Sequence, residues 1–348
     1  MNKSFTLVSV IGTRPQYVKL AAINRCAKEL NIKHEWIDTG QHYSPELSRN
    51  LVEELGLEMP RLNLGIGSGT HAEQTAKALV GIEKFLTNTS YSCVLVYGDT
   101  NSTLAGALAA TKLKIPVAHI EAGLRSGMQF MPEELNRKAV DSISTFLFAP
   151  TMDSFKQLKI EGFNNTFFSG DVMFDEINLL DSRDKASEMD NEYILVTIHR
   201  DENTSSPERL KSIFANLECL SNDVLIVAHP RLSKVIKNFQ IQFDPNKIKI
   251  VDSVGRKQLL SYISGAKCVV TDSGGIQKEA YYLKKICITI RESTEWKETL
   301  KEGWNILNPN LVDLNTLVNR PMPNSHEDYF GNGNASKFIL ETLRKELS

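Results

Sequence analysis

The chain has 348 residues, 41% hydrophobic and 24% charged, with a formal net charge of -2. That length favours two domains, and the composition is that of a globular chain rather than a disordered one. The near-neutral balance gives no bulk affinity for nucleic acid or a membrane surface, and no apolar run reaches the ~18 residues that a bilayer crossing needs.

The first predicted element, "FTLVSVIG", is a β-branched strand rather than a signal peptide, because Arg14 and Pro15 cut the apolar run short. Helix "YVKLAAINRCAKEL" follows, then strand "KHEWIDTG" and helix "SPELSRNLVEELG". Next come helix "HAEQTAKALVGIEKFL", strand "SCVLVYGD", helix "STLAGALAATKLK", strand "PVAHIEA", helix "PEELNRKAVDSIS" and the short strand "TFLFAP". After Asp171 the alternation restarts. Strand "EYILVTIH", helix "PERLKSIFANLECLS" and strand "DVLIVAHP" lead to strands "KIKIVDS" and "AKCVVTDS", with helix "RKQLLSYISG" between them. "KKICITIR" is the last clear strand, and "SKFILETLRKELS" is a terminal amphipathic helix.

Uninterrupted apolar strands alternating with helices predict parallel sheets covered on both faces. The expected fold is therefore α/β, with two Rossmann-like domains. They span residues 1–168 and 169–330, and the helix of 331–348 packs back on the first. The five cysteines, Cys26, Cys93, Cys219, Cys268 and Cys287, are odd in number and show no C-x-x-C spacing. They read as buried thiols of a reducing cytoplasm.

In open parallel sheets, ligands sit at the carboxyl ends of the strands. The polar clusters of this sequence lie at such points: "IGTRPQ", "DTGQH", "YGDTNS" and "HIEAGLR" in the first half, "IHRDENT", "AHPR", "TDSGG" and "IRESTEW" in the second. "DSGG" sits between a strand and a helix and has no large side chain before Ile276. A helix N-terminus offers free N–H donors and a partial positive charge, which suits a phosphate or diphosphate. Ser273 can add a hydroxyl and Glu279 can accept from ribose. The plain alternative is a helix start capped by Asp272 or Ser273. Neither the G-x-G-x-x-G nor the G-x-x-x-x-G-K-[ST] fingerprint is present, which argues against dinucleotide redox and P-loop chemistry.

"GTRPQYVK", "DTGQH", "YGDTNSTLAGALAA", "HIEAGLRS", "MPEELNR", "HRDENT", "AHPR" and "TDSGGIQKEA" resemble, in order and spacing, the non-hydrolysing UDP-N-acetylglucosamine 2-epimerase family. The resemblance runs from the first strand to about Asn305. It implies a glycosyltransferase-B type fold with a nucleotide sugar in the cleft between the domains, a homodimer, and no metal or redox cofactor. "GTRPQYVK", "HRDENT" and "RESTEWKE" differ from the "GTRPEAIK", "HRRENF" and "TERPE" typical of the family. These variants look more like the branch acting on UDP-2,3-diacetamido-2,3-dideoxyglucuronate. Asp201 replaces an arginine that in bacterial relatives helps to bind a second, activating nucleotide sugar.

Inverting C2 of a UDP-N-acetylhexosamine means breaking an unactivated C–H bond. Expelling UDP from C1 first gives oxocarbenium character that acidifies the C2 proton; a base removes it and leaves a glycal. UDP adds back after reprotonation on the other face. Such chemistry needs carboxylates near C2 and cations or N–H groups around the diphosphate. Asp99, Glu121, Glu133 and Glu134 supply carboxylates; Arg14, Lys19, His199, Arg200 and His229 supply donors. The resemblance places Asp99, Glu121 and Glu133 at acid/base positions, with Glu134 one residue on, and His199 beside the diphosphate. The strand-to-helix turn puts the backbone of Ser273, Gly274 and Gly275 forward for the diphosphate, with Glu279 at the ribose. The bland alternatives are an N-cap for Asp99, dipole-complementing first-turn acids for Glu133 and Glu134, a satisfied buried ring for His199, and a solvated helix charge for Lys19. Trp296 and Trp304 read as packing residues. A UDP-sugar-dependent glycosyltransferase of the same fold is the competing class. Its first-half loops would carry an apolar or basic acceptor site, whereas small residues and carboxylates crowd these.

Overall fold

The computed structural model describes residues 5–41, 51–127, 130–177 and 192–347. The chain divides into two compact units, one made of Met1–Leu179 with Asp328–Ser348 and the other of Leu180–Glu327.

In the first unit the strands are β1 (Thr6–Ile11), β2 (Lys33–Asp38), β3 (Leu62–Asn63), β4 (Cys93–Tyr97), β5 (Val117–Ile120), β6 (Phe146–Ala149) and β7 (Thr166–Phe168). They form a parallel sheet in the order β3-β2-β1-β4-β5-β6-β7. Alternation of side chains along β1 serves two cores. Leu7 and Ile11 cluster with Leu20 and Ile23 of helix Arg14–Glu29, while Val8 and Val10 cluster with Ala105 and Ala109 of helix Asn101–Lys112. That second helix is rich in small residues because it packs closely on the sheet. A Cβ built on Gly106 would lie 3.1 Å from Val10 Cβ.

The second unit repeats the plan with β8 (Tyr193–Thr197), β9 (Asp223–Ala228), β10 (Ile248–Asp252), β11 (Cys268–Thr271), β12 (Ile286–Thr289) and β13 (Asn305–Leu307). Their order is β10-β9-β8-β11-β12-β13, again parallel. The strand order thus reverses between β1 and β4 in one unit and between β8 and β11 in the other. These are the switch points at which such sheets open a crevice. "GTRPQ" and "GDTNS" flank the first, "HRDEN" and "DSGG" the second.

β3, β7 and β13 have two or three residues each, too few for an apolar run to announce them. Residues 44–50 of the expected helix "SPELSRNLVEELG" lie outside the described residues. The terminal helix Ala335–Leu347 buries Ile339, Leu340 and Leu343 in the cluster that contains Leu20 and Ile23. Its N-terminus is capped by Asp175, whose carboxylate accepts from the N–H groups of Ala335 at 3.0 Å and Ser336 at 2.6 Å. Near its other end, Arg344 donates to the carbonyl of Leu30 at 2.8 Å. No described helix is long and apolar enough to cross a membrane.

The expectation of five buried thiols needs correction. Cys93, Cys268 and Cys287 are buried, Cys26 is half-buried, and Cys219 is exposed. Cys219 follows helix Pro207–Glu218 as its C-cap, two residues after the buried Leu217.

Candidate active site

In the first unit the strand exits are woven together by side chains. Gly12 follows β1, and a Cβ there would stand 2.1 Å from Thr39 Oγ1 and 2.3 Å from Ser102 Oγ, so only glycine fits. Gln16 is buried. Its oxygen accepts from the N–H groups of Gly12 (2.8 Å) and Thr13 (3.1 Å), and its amide donates to the Tyr97 carbonyl at 2.7 Å. The exits of β1 and β4 are thereby fixed against each other.

Lys19, one turn further along helix Arg14–Glu29, is only 6% exposed and forms an ion pair with Glu121. It is no solvated helix charge. Arg14 is the first residue of the same helix and is half-buried. Glu121 lies just past β5 at φ +74, a left-handed conformation uncommon outside glycine and found where a site over-determines the backbone. Its N–H and that of Ala122 both donate to the Phe148 carbonyl, at 3.1 and 3.0 Å, which holds that bend.

Asp99 is not the cap of the helix that follows it; Thr100 is, accepting from the Thr103 N–H. The Asp99 carboxylate instead accepts from Arg137 Nη2 at 2.5 Å, and its carbonyl accepts from Asn136 Nδ2 at 2.9 Å. A Cβ on the preceding Gly98 would lie 3.6 Å from Lys19 Nζ and 3.8 Å from Glu121 Oε2. The Asp99 turn therefore abuts the Lys19–Glu121 pair. Glu134 is buried and accepts from Ser126 N and Oγ at 2.9 Å each and from Arg137 Nη1 at 3.0 Å. Burial pushes its carboxyl up, but the bonds from Ser126 and Arg137 outweigh it and hold the group below its usual range. Glu133, in the same first turn of helix Pro132–Ile143, is half-buried.

In the second unit Asp272, at the end of β11, is the organising carboxylate. It accepts from the backbone N–H of His199 (3.1 Å) and of Arg200 (3.0 Å), and from Asn203 Nδ2 (3.0 Å). Burial raises its pKa, but these bonds and the His199 ring win, and the net shift is downward. Arg200 Nε donates to the Asp272 carbonyl at 3.0 Å. The His199 side chain is 42% exposed, so it is not a satisfied core histidine. The exposed His229 ring lies 6.2 Å from that of His199, and its Nδ1 accepts from the Arg231 N–H at 3.3 Å as the cap of helix Pro230–Asn238. Asp201 pairs with Arg231 at 2.5 Å on the surface.

Helix Gly274–Tyr282 begins directly after Ser273, whose side chain makes no capping hydrogen bond. Its two glycines differ. A Cβ at Gly274 would meet Glu295 Oε1 at 2.4 Å and Trp296 Nε1 at 3.3 Å, whereas at Gly275 the nearest atom is Ser273 Oγ at 3.9 Å. Neither has a positive φ, so the backbone angles do not demand glycine at either position. A side chain at Gly274 would have to push the Glu295 carboxylate aside and crowd Trp296, whereas Gly275 leaves open space. Glu279 is buried and paired with Arg256. Glu295 pairs with Arg291 at 3.1 Å. Trp296 and Trp304 pack, as expected. Lys278 Nζ lies 3.8 Å from the centre of the Trp296 ring, and Trp304 Nε1 donates to the Ser325 carbonyl at 2.7 Å.

Sequence reading missed Gln16, Arg137, Asn203, Arg256 and Glu295. Arg137 had a signal: it stands three residues after Glu134 on a helix, the spacing at which side chains meet. Arg256 reaches its partner Glu279 only through the tertiary fold, and Glu295 stands four residues after its partner Arg291 but on a loop with no helical pattern to announce the pair.

The family model for UDP-N-acetylglucosamine 2-epimerase matches residues 24–344. A UDP-N-acetylglucosamine 2-epimerase of Methanocaldococcus jannaschii is 41% identical over 357 residues, covering 96% of this chain and 97% of its own. The UDP-2,3-diacetamido-2,3-dideoxy-D-glucuronate 2-epimerase of Pseudomonas aeruginosa is 38% identical over 355 residues, covering 97% of this chain and 99% of its own. Among solved structures, the M. jannaschii enzyme in complex with UDP-GlcNAc and UDP has a TM-score of 0.88 at 39% identity, covering 98% of this chain and 100% of that one. The Neisseria meningitidis enzyme bound to UDP-GlcNAc has a TM-score of 0.85 at 28% identity, covering 98% and 100%. The α/β architecture of two Rossmann-like units is the glycosyltransferase-B-like fold of these structures. On sequence and fold together, this chain is a member of the UDP-N-acetylglucosamine 2-epimerase family.

Proposed function

We propose that this chain inverts C2 of a UDP-N-acetylhexosamine without hydrolysis. The C1–O bond breaks and UDP leaves with the electron pair. A carboxylate takes the C2 proton, and the glycal forms. A second acid protonates C2 from the other face, and UDP returns to C1. The observation that carries this reading is the Lys19–Glu121 pair abutting the Asp99 turn. It gathers two carboxylates with cations beside them, as proton removal and return require. Asp99, Glu121 and Glu133 are assigned to proton transfer and His199 to the departing diphosphate. Arg14, Lys19, Arg200, His229, Ser273, Gly274, Gly275 and Glu279 are assigned to binding, with Glu279 at the ribose. No cofactor is required by this route.

The same reaction on UDP-2,3-diacetamido-2,3-dideoxyglucuronate is the second reading. It is supported by the P. aeruginosa relative and by the "HRDENT" and "RESTEWKE" variants. The remaining assignments are a cytoplasmic homodimer that supplies a nucleotide sugar for surface polysaccharide. They rest on the family resemblance, and light scattering of the purified chain tests the dimer.

The reaction is tested by incubating the chain in deuterium oxide with UDP-GlcNAc and, separately, with the diacetamido uronate. The expected result is inversion with deuterium at C2 and no build-up of free UDP. Retention of the original hydrogen overturns the elimination route. Transfer of the sugar to an acceptor instead favours the glycosyltransferase class.

A further inference from the structure

His119, in β5, is fully buried and is claimed by neither the nucleotide nor the proton-transfer assignments. Its Nδ1 lies 2.7 Å from Asp141 Oδ1, and its Nε2 lies 2.8 Å from the carbonyl oxygen of Gly98. A neutral imidazole has one donor nitrogen and one acceptor nitrogen. Here a carbonyl oxygen faces one nitrogen and a carboxylate oxygen the other. Asp141 is fully buried on helix Pro132–Ile143 and also accepts from the Gly123 N–H at 3.2 Å and from Arg125 Nη2 at 2.8 Å. Arg125 is paired in turn with Glu161 at 2.5 Å. The arginine favours an ionised Asp141, and both contacts of the ring are then satisfied only if both nitrogens carry a proton.

The place of this pair in the fold gives it a purpose. Gly98 immediately precedes Asp99. Glu121 follows His119 by two residues, and Gly123 by four. Asp141 stands one turn after Arg137, whose guanidinium holds Asp99. The His119–Asp141 pair thus ties together the exit of β4, the exit of β5 and the helix that grips Asp99. We propose that His119 is a positioning residue: an imidazolium clamped between Gly98 and Asp141 that sets Asp99 against Glu121. It is not itself a proton carrier, because it is sealed from solvent and has both nitrogens engaged. The proposal rests on the reading that Asp99 and Glu121 exchange the C2 proton.

The test uses the full chain and two shape-conserving variants, His119→Gln and Asp141→Asn. Each removes the charged pair while keeping a hydrogen-bonding group in place. Turnover should fall on the order of a hundredfold, the scale that small misplacement of reacting groups produces. KM and the affinity for UDP should stay at wild-type values, since the nucleotide residues lie elsewhere. A double variant should be no worse than the poorer single one, as expected for two members of one clamp. Folded variants with wild-type turnover overturn the proposal, as does a loss seen only in KM. An independent readout is the ring-¹⁵N spectrum of the wild-type chain at neutral pH, with His119 assigned by its absence in His119→Gln. Two protonated ring nitrogens support the clamp; one bare nitrogen overturns it, whether or not the variants fold. A wild-type chain that does not epimerise any substrate sinks the proposed reaction, and the ring spectrum still decides the clamp.

Discussion

Asp272 and His199 are joined twice. The His199 backbone N–H lies 3.1 Å from both carboxylate oxygens, and the ring Nδ1 lies 3.1 Å from Oδ1. The bond bridges the exits of β8 and β11, the two strands between which the second sheet reverses. A carboxylate lowered on folding contributes stability that is complete above its ordinary value of 3.8 and is lost as the pH falls through its lower folded value. Asp272→Asn should therefore cost ~1.5–3 kcal/mol near neutrality, the worth of a hydrogen bond to a charged group. The gap to wild type should close as the pH drops below about 4. Thermal melts of both proteins between acid and neutral pH test this. A gap that persists in acid would assign the loss to shape rather than charge.

Asp99→Asn and Glu121→Gln should each lower turnover by roughly a hundredfold or more, as loss of a general acid or base does. Calorimetric titration of UDP should give wild-type affinity in both, because neither is assigned to the nucleotide. Near-normal turnover in either variant would remove that residue from the proton-transfer assignment.

Lys19→Met tests the ion pair. The methionine fills a similar volume, but Glu121 loses its cation in a site that is nearly closed to solvent. Turnover should fall, and adding Glu121→Gln should lower it little further, because the two substitutions strike one interaction. Fully additive losses would mean that the two side chains act independently.

The bare turn after β11 yields a paired test. Gly274→Ala places a methyl against Glu295 and Trp296 and should lower stability whether or not a ligand binds there. Gly275→Ala meets only open space, so the melting temperature should hold. The affinity for UDP should fall because the methyl crowds the N–H groups assigned to the diphosphate. Ser273→Ala should weaken UDP by ~1.5–3 kcal/mol. Unchanged affinity in Gly275→Ala and Ser273→Ala would reduce the turn to a helix start.

Strand–helix alternation showed both sheets, because fully buried parallel strands write themselves as continuous apolar runs. β1 and β8, buried along their whole length, were plain for that reason. The short strands β3, β7 and β13 bury too few residues to leave a pattern. Asp99, Glu121 and Lys19 stood out through their position at strand and helix ends, but their pairing did not. Lys19 is more than a hundred residues from Glu121 in sequence, and no local rule links them. In sequence Asp272 offers itself only as an alternative cap, with Ser273, because its neighbours begin a helix. Its actual partners, His199, Arg200 and Asn203, come from the neighbouring strand exit.

The second unit is one continuous segment, Leu180–Glu327, whereas the first is completed only by Asp328–Ser348. During synthesis the whole of the second unit is therefore made before the helix that covers Leu20 and Ile23 leaves the ribosome. Domains generally fold as units during synthesis, so the second can mature while the first still lacks one wall of its core. A released chain that ends at Glu327 should show a protease-resistant second unit beside a first unit that is still open to cleavage.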